Sequence, residues 1–423
     1  MIETTEIKNN RNYSRVLKNA LDVGEMMHIC GGEASRIEDT ISRICYAYGV
    51  ERADIFTITS SIIVTIILPN GEAVTQTRRI NSQSRDMTRL DALNALSRDM
   101  CEYQLGDEEV QKRLEKIKHI KGVKWYLFAF ASILAASGFT FYFGGSWRDA
   151  LATAIVALII CGFENLRNHI RANKIVYYLV VSFISGAISV LSVHIGLGQN
   201  VNTIMIGAIM LLIPGIAITF ALENLLTGDT ITGLLQFFES IILAVIIAGG
   251  FAAATFTFGG YDMLNDGVGY VSMWIRLGAA VVCASGFSII FGVIKLKRLA
   301  VGAVGAVLTE LTLLLFSRYT SVPEFACVII AATIGAAYGQ VMARVMRVPS
   351  TVFTVPAVIT LIPGSALYYT MSWALRGNTE RFIGKGIDTL LWAFSISFGI
   401  VVVLVITSGI TAVIRKIKLK NHR

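Results

Sequence analysis

The chain has 423 residues, a mean hydropathy of +0.63, and 54% apolar against 16% charged residues. That composition excludes a purely water-soluble globular protein, because several apolar runs exceed the ~20 residues needed to cross a bilayer. The net charge of +8 is unevenly placed. Residues 1–121 hold 17 Lys/Arg against 18 Asp/Glu and residues 122–423 hold 20 against 11, so the excess sets membrane topology and does not imply nucleic-acid binding.

Six cysteines (Cys30, Cys45, Cys101, Cys161, Cys283, Cys327) lack CxxC or Cys/His metal spacing. They fit a reduced compartment with neither structural metal nor cofactor. The mixed-charge N-terminus is neither a secretory signal nor a transit peptide, so the first membrane helix is expected to direct insertion.

Residues 1–121 read as a small α+β domain. Val16, Leu17, Ala20, Leu21, Val23 and Met27 recur at helical spacing, and Gly31-Gly32 ends that helix. Ser35 with Glu38 reads as a capping box opening a second helix with Ile37, Ile41, Ile44 and Tyr48 on one face. Strands are expected at Ala53–Thr59, Ile62–Leu68 and near Ala73–Arg79, the last two joined by the Asn70-Gly71 turn. Helix returns at Thr88–Gln104. Asp107–Lys121, with Val110, Leu114 and Ile117 on a narrow stripe, reads as an amphipathic stalk. His28 reads as a helix-face residue, and Arg78, Arg79, Arg85 and Arg89 as solvated or ion-paired surface.

Ten spans are expected from residue 122 onward, near 125–143, 147–163, 175–197, 201–226, 231–258, 270–294, 298–316, 323–343, 350–374 and 383–413. Alternate connections carry Arg167, Arg171 and Lys174; Lys295, Lys297 and Arg298; and Arg344 and Arg347. A basic tail at 416–423 extends the same set. These belong on the cytoplasmic side with both termini, opposite the acidic Asp262 and Asp266, although Arg376, Arg381 and Lys385 weaken the bias on that side.

Leu212-Ile213-Pro214-Gly215 recurs as Leu361-Ile362-Pro363-Gly364, each halfway along an apolar stretch. Pro-Gly opens a helix, and in a bilayer the freed backbone groups survive only beside neighbouring helices or a wet cavity. The offset of 149 (363 − 214) also pairs Trp125 with Trp274, Gly186-Ala187 with Gly335-Ala336, Gly228 with Gly377, Glu239-Ser240 with Asp388-Thr389, and Gly250 with Gly399. The fold class is therefore a polytopic α-helical membrane protein with an N-terminal cytoplasmic α+β domain. Its two five-helix repeats lie at 122–262 and 270–415. Five spans each makes them inverted, the pattern of secondary transporters with a midplane site.

Glu239 and Asp388, at equivalent positions and each beside a hydroxyl residue, are candidates to carry a coupling proton, with Glu310 as a third and Arg276 as its ion-pair partner across spans. Pro214, Gly215, Pro363 and Gly364 are candidates to shape a substrate site, because helix N-termini and freed carbonyls bind carboxylate and ammonium groups. Thr219 and Ser365 would read a substrate hydroxyl, or serve helix packing alone.

Gly32-Glu33-Ala34-Ser35-Arg36-Ile37-Glu38, with Thr59-Ser60 and Asn94-Ala95-Leu96-Ser97-Arg98, resembles the N-terminal domain of the bacterial threonine/serine exporter family, and the order of parts extends that resemblance over the chain. The resemblance implies efflux of threonine and serine across the bacterial plasma membrane, driven by the proton motive force, by a fused form of a two-component exporter. Split pairs of the family are associated with succinate export, so a dicarboxylate is the alternative substrate, and a membrane-anchored ligand sensor is a reading from another class. An enzyme is not expected, since HExxH and an intramembrane GxSxG are absent and Gly384-Lys385-Gly386 is no phosphate loop. The partners expected are substrate, protons and the bilayer; a homo-oligomer is compatible with the sequence.

Overall fold

The computed structural model describes residues 2–80, 84–167, 173–212, 214–259 and 271–421, and the chain divides into two compact units. Arg171, Ile213, Asp262 and Asp266 lie outside the described residues. The first unit comprises Met1–Gly122 with two short segments, Phe291–Val293 and Arg347–Pro349.

Within it, α1 (Ile2–Ile29) ends at Gly31, whose φ of +85° suits a residue without a Cβ, and α2 (Ala34–Ala47) follows. The expected capping box does not form. Glu33 takes the N-cap position without a side-chain bond, and Glu38 instead accepts the Thr57 backbone N–H at 2.8 Å, tying α2 to the first strand.

Strands β1 (Arg52–Ile58), β2 (Ser61–Ile67) and β3 (Ala73–Arg79) form one antiparallel sheet in that order. Its period-2 alternation turns Ile62, Val64 and Ile66 into a core with Leu17, Leu21, Ile37, Ile41 and Ile44, while Phe56 and Ile63 face outward. Gly71 closes the β2–β3 hairpin at a φ of +83°.

Helix α3 (Met87–Tyr103) is capped by Asp86, which accepts from the Thr88 and Arg89 amides. In the same unit, Met87 N–H donates to Phe291 O at 2.9 Å and Thr88 Oγ1 to Gly292 O at 2.6 Å. Helix α4 (Asp107–Lys118), expected as a stalk, instead packs against α1 and α3. It buries Val110, Leu114 and Ile117 and pairs Arg113 with Asp99 at 2.7 Å. Arg78 pairs with Asp22 and Glu25, and Arg89 with Asp86. Arg85 lies 5.7 Å from the Phe291 ring centroid, and burial lowers its pKa to about 10.

All regular elements among the described residues of the second unit are helices. Among the described residues, eight helices are long and apolar enough to cross a membrane: α5 (Trp125–Tyr142), α6 (Trp147–Arg167), α7 (Lys174–His194), α10 (Thr230–Phe258), α11 (Met273–Ile290), α12 (Leu296–Tyr319), α13 (Glu324–Met346) and α16 (Thr379–Asn421). The chain is an integral membrane protein. Two further stretches are each split into a pair of short helices, α8 (Val201–Ile209) with α9 (Gly215–Thr227), and α14 (Thr351–Val358) with α15 (Gly364–Leu375).

Both splits fall at Pro-Gly with the same backbone geometry. Pro214 (φ −79°, ψ 37°) and Pro363 (φ −78°, ψ 47°) cap α9 and α15, and each prolyl carbonyl accepts at 3.0 Å from the amide four residues on. The first half-helices end at Ile209 and Val358 in i→i−3 turns (Leu212 N to Ile209 O, Leu361 N to Val358 O), and the proline that follows, without an N–H, cannot resume the helical ladder. Packing recurs in the same pattern: α7 lies on α10 and α13 on α16, while α9 reaches α16 and α15 reaches α10.

Candidate transport site

Glycines decide how closely these helices approach. A Cβ on Gly286 of α11 would lie 2.8 Å from Ala131 O and Ala135 N of α5, and one on Gly138 would lie 2.9 Å from Cys283 Sγ. With α5 and α11 in backbone contact and antiparallel, the last residue of α5, Tyr142, meets the first turn of α11, where Arg276 stands.

These two side chains close over Glu310, fourteen residues into α12. Arg276 Nη2 lies 2.8 Å from Glu310 Oε1 and donates to Tyr142 Oη at 2.7 Å. The Tyr142 hydroxyl lies 3.0 and 3.2 Å from the two Glu310 oxygens, and the guanidinium carbon sits 4.8 Å from the Tyr142 ring centroid. The Arg276–Glu310 pair expected from sequence thus exists; Tyr142 is a third member that sequence reasoning missed, since a tyrosine at a helix end reads as an interfacial anchor.

Beside this cluster stands Thr360, between the end of α14 and the second Pro-Gly break and close to the Glu310 carboxylate. Its hydroxyl is buried without a well-formed hydrogen bond, as are those of Thr309 and Thr354, and Arg276 Nε has no acceptor. Buried hydroxyls lacking partners mark places where water or a ligand completes the network.

The other predicted acids lie elsewhere. Glu239 and Asp388, each nine residues into its helix, are 54% and 56% exposed, against 0% for Glu310. Glu239 is paired with Lys174, and Asp388 with Lys385 at 3.4 Å. Their neighbours Ser240 and Thr389 face inward, bonding Gln236 O and Lys385 O. Two buried acids escaped the sequence reading. Glu223 lies on α9, and Asp149 at the start of α6 accepts four hydrogen bonds, from Ser146 N and Oγ and from the Gln199 and Asn200 amides.

At the breaks, Gly215, Pro363 and Gly364 are buried and Pro214 and Ser365 half-buried. Thr219 donates to Gly215 O at 3.1 Å, and its carbonyl accepts from Ser397 of α16 at 2.7 Å. Ile218 of α9, Leu367 of α15, Ala244 of α10 and Ala393 of α16 form one core cluster, flanked by Leu222 and Met371. Among the described residues, no cluster of His, Cys, Asp or Glu suited to a metal ion occurs.

The helical architecture, with eight helices long and apolar enough to cross a membrane among the described residues, defines a polytopic membrane protein. The chain belongs to the threonine/serine exporter family: the profile described as "Putative threonine/serine exporter" matches residues 18–258, and that described as "Threonine/Serine exporter, ThrE" matches 276–406. It is similar to a "Threonine/serine exporter" of Corynebacterium glutamicum, 21% identical over 94% of this chain and 83% of the relative. It also resembles the "Probable succinate transporter subunit YjjP" of Klebsiella aerogenes, 24% identical over 53% of this chain and 86% of the relative, and its Escherichia coli counterpart at 23%. No solved structure matches the chain.

Proposed function

We propose that the protein exports small hydroxy amino acids, threonine and serine, across the bacterial plasma membrane by proton-coupled alternating access, with Glu310 as the proton-carrying group. The observation that carries this reading is the enclosure of Glu310: a fully buried carboxylate in the middle of a membrane helix, held by Tyr142 and Arg276 beside a broken helix. A charge placed so deep costs about 2.5–3.5 kcal/mol on insertion scales, and such residues recur in proton relays. Glu239 and Asp388, exposed and paired with lysines, suit that role less well.

The spans are ten, counting each broken pair as one, in two inverted repeats of five. The core cluster where the broken helices meet supports this, because it is built from residues exchanged by the offset of 149: Ile218 with Leu367, Ala244 with Ala393, and Leu222 with Met371. A pseudo-two-fold axis through that cluster relates the halves, so rocking of one against the other alternates access.

The test is uptake of labelled threonine into inverted vesicles under an imposed pH gradient. Wild type accumulates threonine and loses it with an uncoupler; Glu310→Gln lacks the gradient-driven component, whereas Glu239→Gln, Asp388→Asn and Glu223→Gln keep it. The succinate-transporter relatives favour a second reading, a dicarboxylate exporter of the same architecture. Succinate flux without threonine flux would establish that reading instead.

A further inference from the structure

Resting on the export reading, the geometry points to the Arg276–Glu310 pair as the place where the substrate binds, the amino acid inserting between the two side chains as a zwitterion. The substrate carboxylate takes the place of Glu310 on Arg276, its ammonium takes the place of Arg276 on Glu310, and the side-chain hydroxyl reaches Thr360.

Three observations converge on this. The pair is neutral as a whole and offers one fixed cation and one fixed anion, the complement of an α-amino acid; a dicarboxylate would set a second anion against Glu310. Its donors are incompletely used, since Arg276 Nη2 reaches both Glu310 Oε1 and Tyr142 Oη while Nε is buried with no acceptor. Thr360 adds a buried hydroxyl, 5% exposed, that lacks a well-formed bond beside the same carboxylate. Tyr142 then holds the carboxylate oriented whichever cation occupies it.

A coupling rule follows. Glu310 accepts either the substrate ammonium or a proton, so the two compete for one carboxylate and cross the membrane in opposite directions, one proton for each amino acid. The ionisable groups acting on that carboxylate are Tyr142 of α5 and Arg276 and Cys283 of α11; α14 contributes no ionisable side chain.

The experiment is counterflow of labelled L-threonine in proteoliposomes of the full chain, with three unlabelled competitors: threonine, 3-hydroxybutyrate, which lacks the ammonium, and threoninamide, which lacks the carboxylate. Wild type is expected to respond to threonine alone. Glu310→Gln should weaken threonine at least tenfold and raise 3-hydroxybutyrate relative to it, and Arg276→Gln should raise threoninamide in the same relative sense.

Thr360→Val leaves the ion pair intact and guards against loss of folding; it should cut the preference for threonine over 2-aminobutyrate several-fold. Threonine counterflow in wild type with competitor ratios unchanged in Glu310→Gln and Arg276→Gln, or with the 2-aminobutyrate ratio unchanged in Thr360→Val, overturns this site while leaving amino-acid export standing. Absence of threonine counterflow in correctly inserted wild type would sink the export reading itself.

Discussion

Asp149 and His28 illustrate what single buried polar groups do in the two units. The four bonds of Asp149 tie the α5–α6 turn to the α7–α8 turn, and three of the donors are backbone amides. Asp149→Ala orphans them at about 1–3 kcal/mol each, so the variant should lose several degrees of thermal midpoint in detergent, with Asp149→Asn intermediate. In the first unit, His28 is buried with Nε2 3.0 Å from Ile58 O, and desolvation lowers its pKa below the ordinary 6.5. A histidine held neutral in the folded state leaves the unfolded chain binding the extra proton, so its contribution is complete above about pH 6.5 and is lost as pH falls from there toward the folded value. Hydrogen exchange of β1 amides, corrected for intrinsic rates, should show protection falling between pH 7 and 5 more in wild type than in His28→Gln. An equal fall in both would remove His28 from the account.

Among elements, the local rules of helix and strand were written plainly in the residues. The strands were placed to within a residue because alternation has a period of two and Asn-Gly fixes the hairpin, and both membrane breaks were visible because the Pro-Gly pair recurs; proline without the glycine is no such signal, since Pro356 lies inside α14. The contacts that depend on tertiary packing were not. Glu38 has the spacing of a capping residue, yet a strand amide across the unit competes for it more successfully. The α4 stripe is narrow enough for a stalk, yet it is buried because α1 and α3 present a matching surface. The paired glycines Gly250 and Gly399 were legible as a repeat, but their purpose needed coordinates. A Cβ on Gly250 would lie 2.8 Å from Leu179 O of α7, and one on Gly399 the same distance from Ile329 O of α13. Gly250→Ala and Gly399→Ala should each cost about 1–3 kcal/mol, read as a lowered thermal midpoint, whereas Gly409→Ala, with open space at its Cβ, should be silent.

For the whole molecule, the candidate site was half legible: the acid and the arginine could be named from their cost in a bilayer, but only folding could bring α5, α11 and α12 together at Tyr142, Arg276 and Glu310. The offset of 149 makes a sharper demand. Thr230 and Thr379 begin α10 and α16, are both exposed, and occupy equivalent positions after the two broken helices. If the repeats are parallel, both threonines face the same side; if inverted, they face opposite sides. In a background lacking the six native cysteines, Thr379→Cys should react with a membrane-impermeant maleimide in intact cells, and Thr230→Cys only after permeabilisation. Labelling of both from one side would remove the in-plane axis and with it the rocking mechanism, because two halves of the same orientation cannot exchange inward-open and outward-open states by swapping conformations. Labelling from opposite sides would leave the Ile218–Leu367 and Ala244–Ala393 cluster as the pivot, with the Glu310 site beside one arm of it and no acidic counterpart in the other. Position 161, which corresponds to Glu310 (310 − 149), is Cys161. The transport path is then chemically one-sided within a symmetric frame, and a proton taken up at Glu310 has no second carboxylate at the equivalent place to which it can pass.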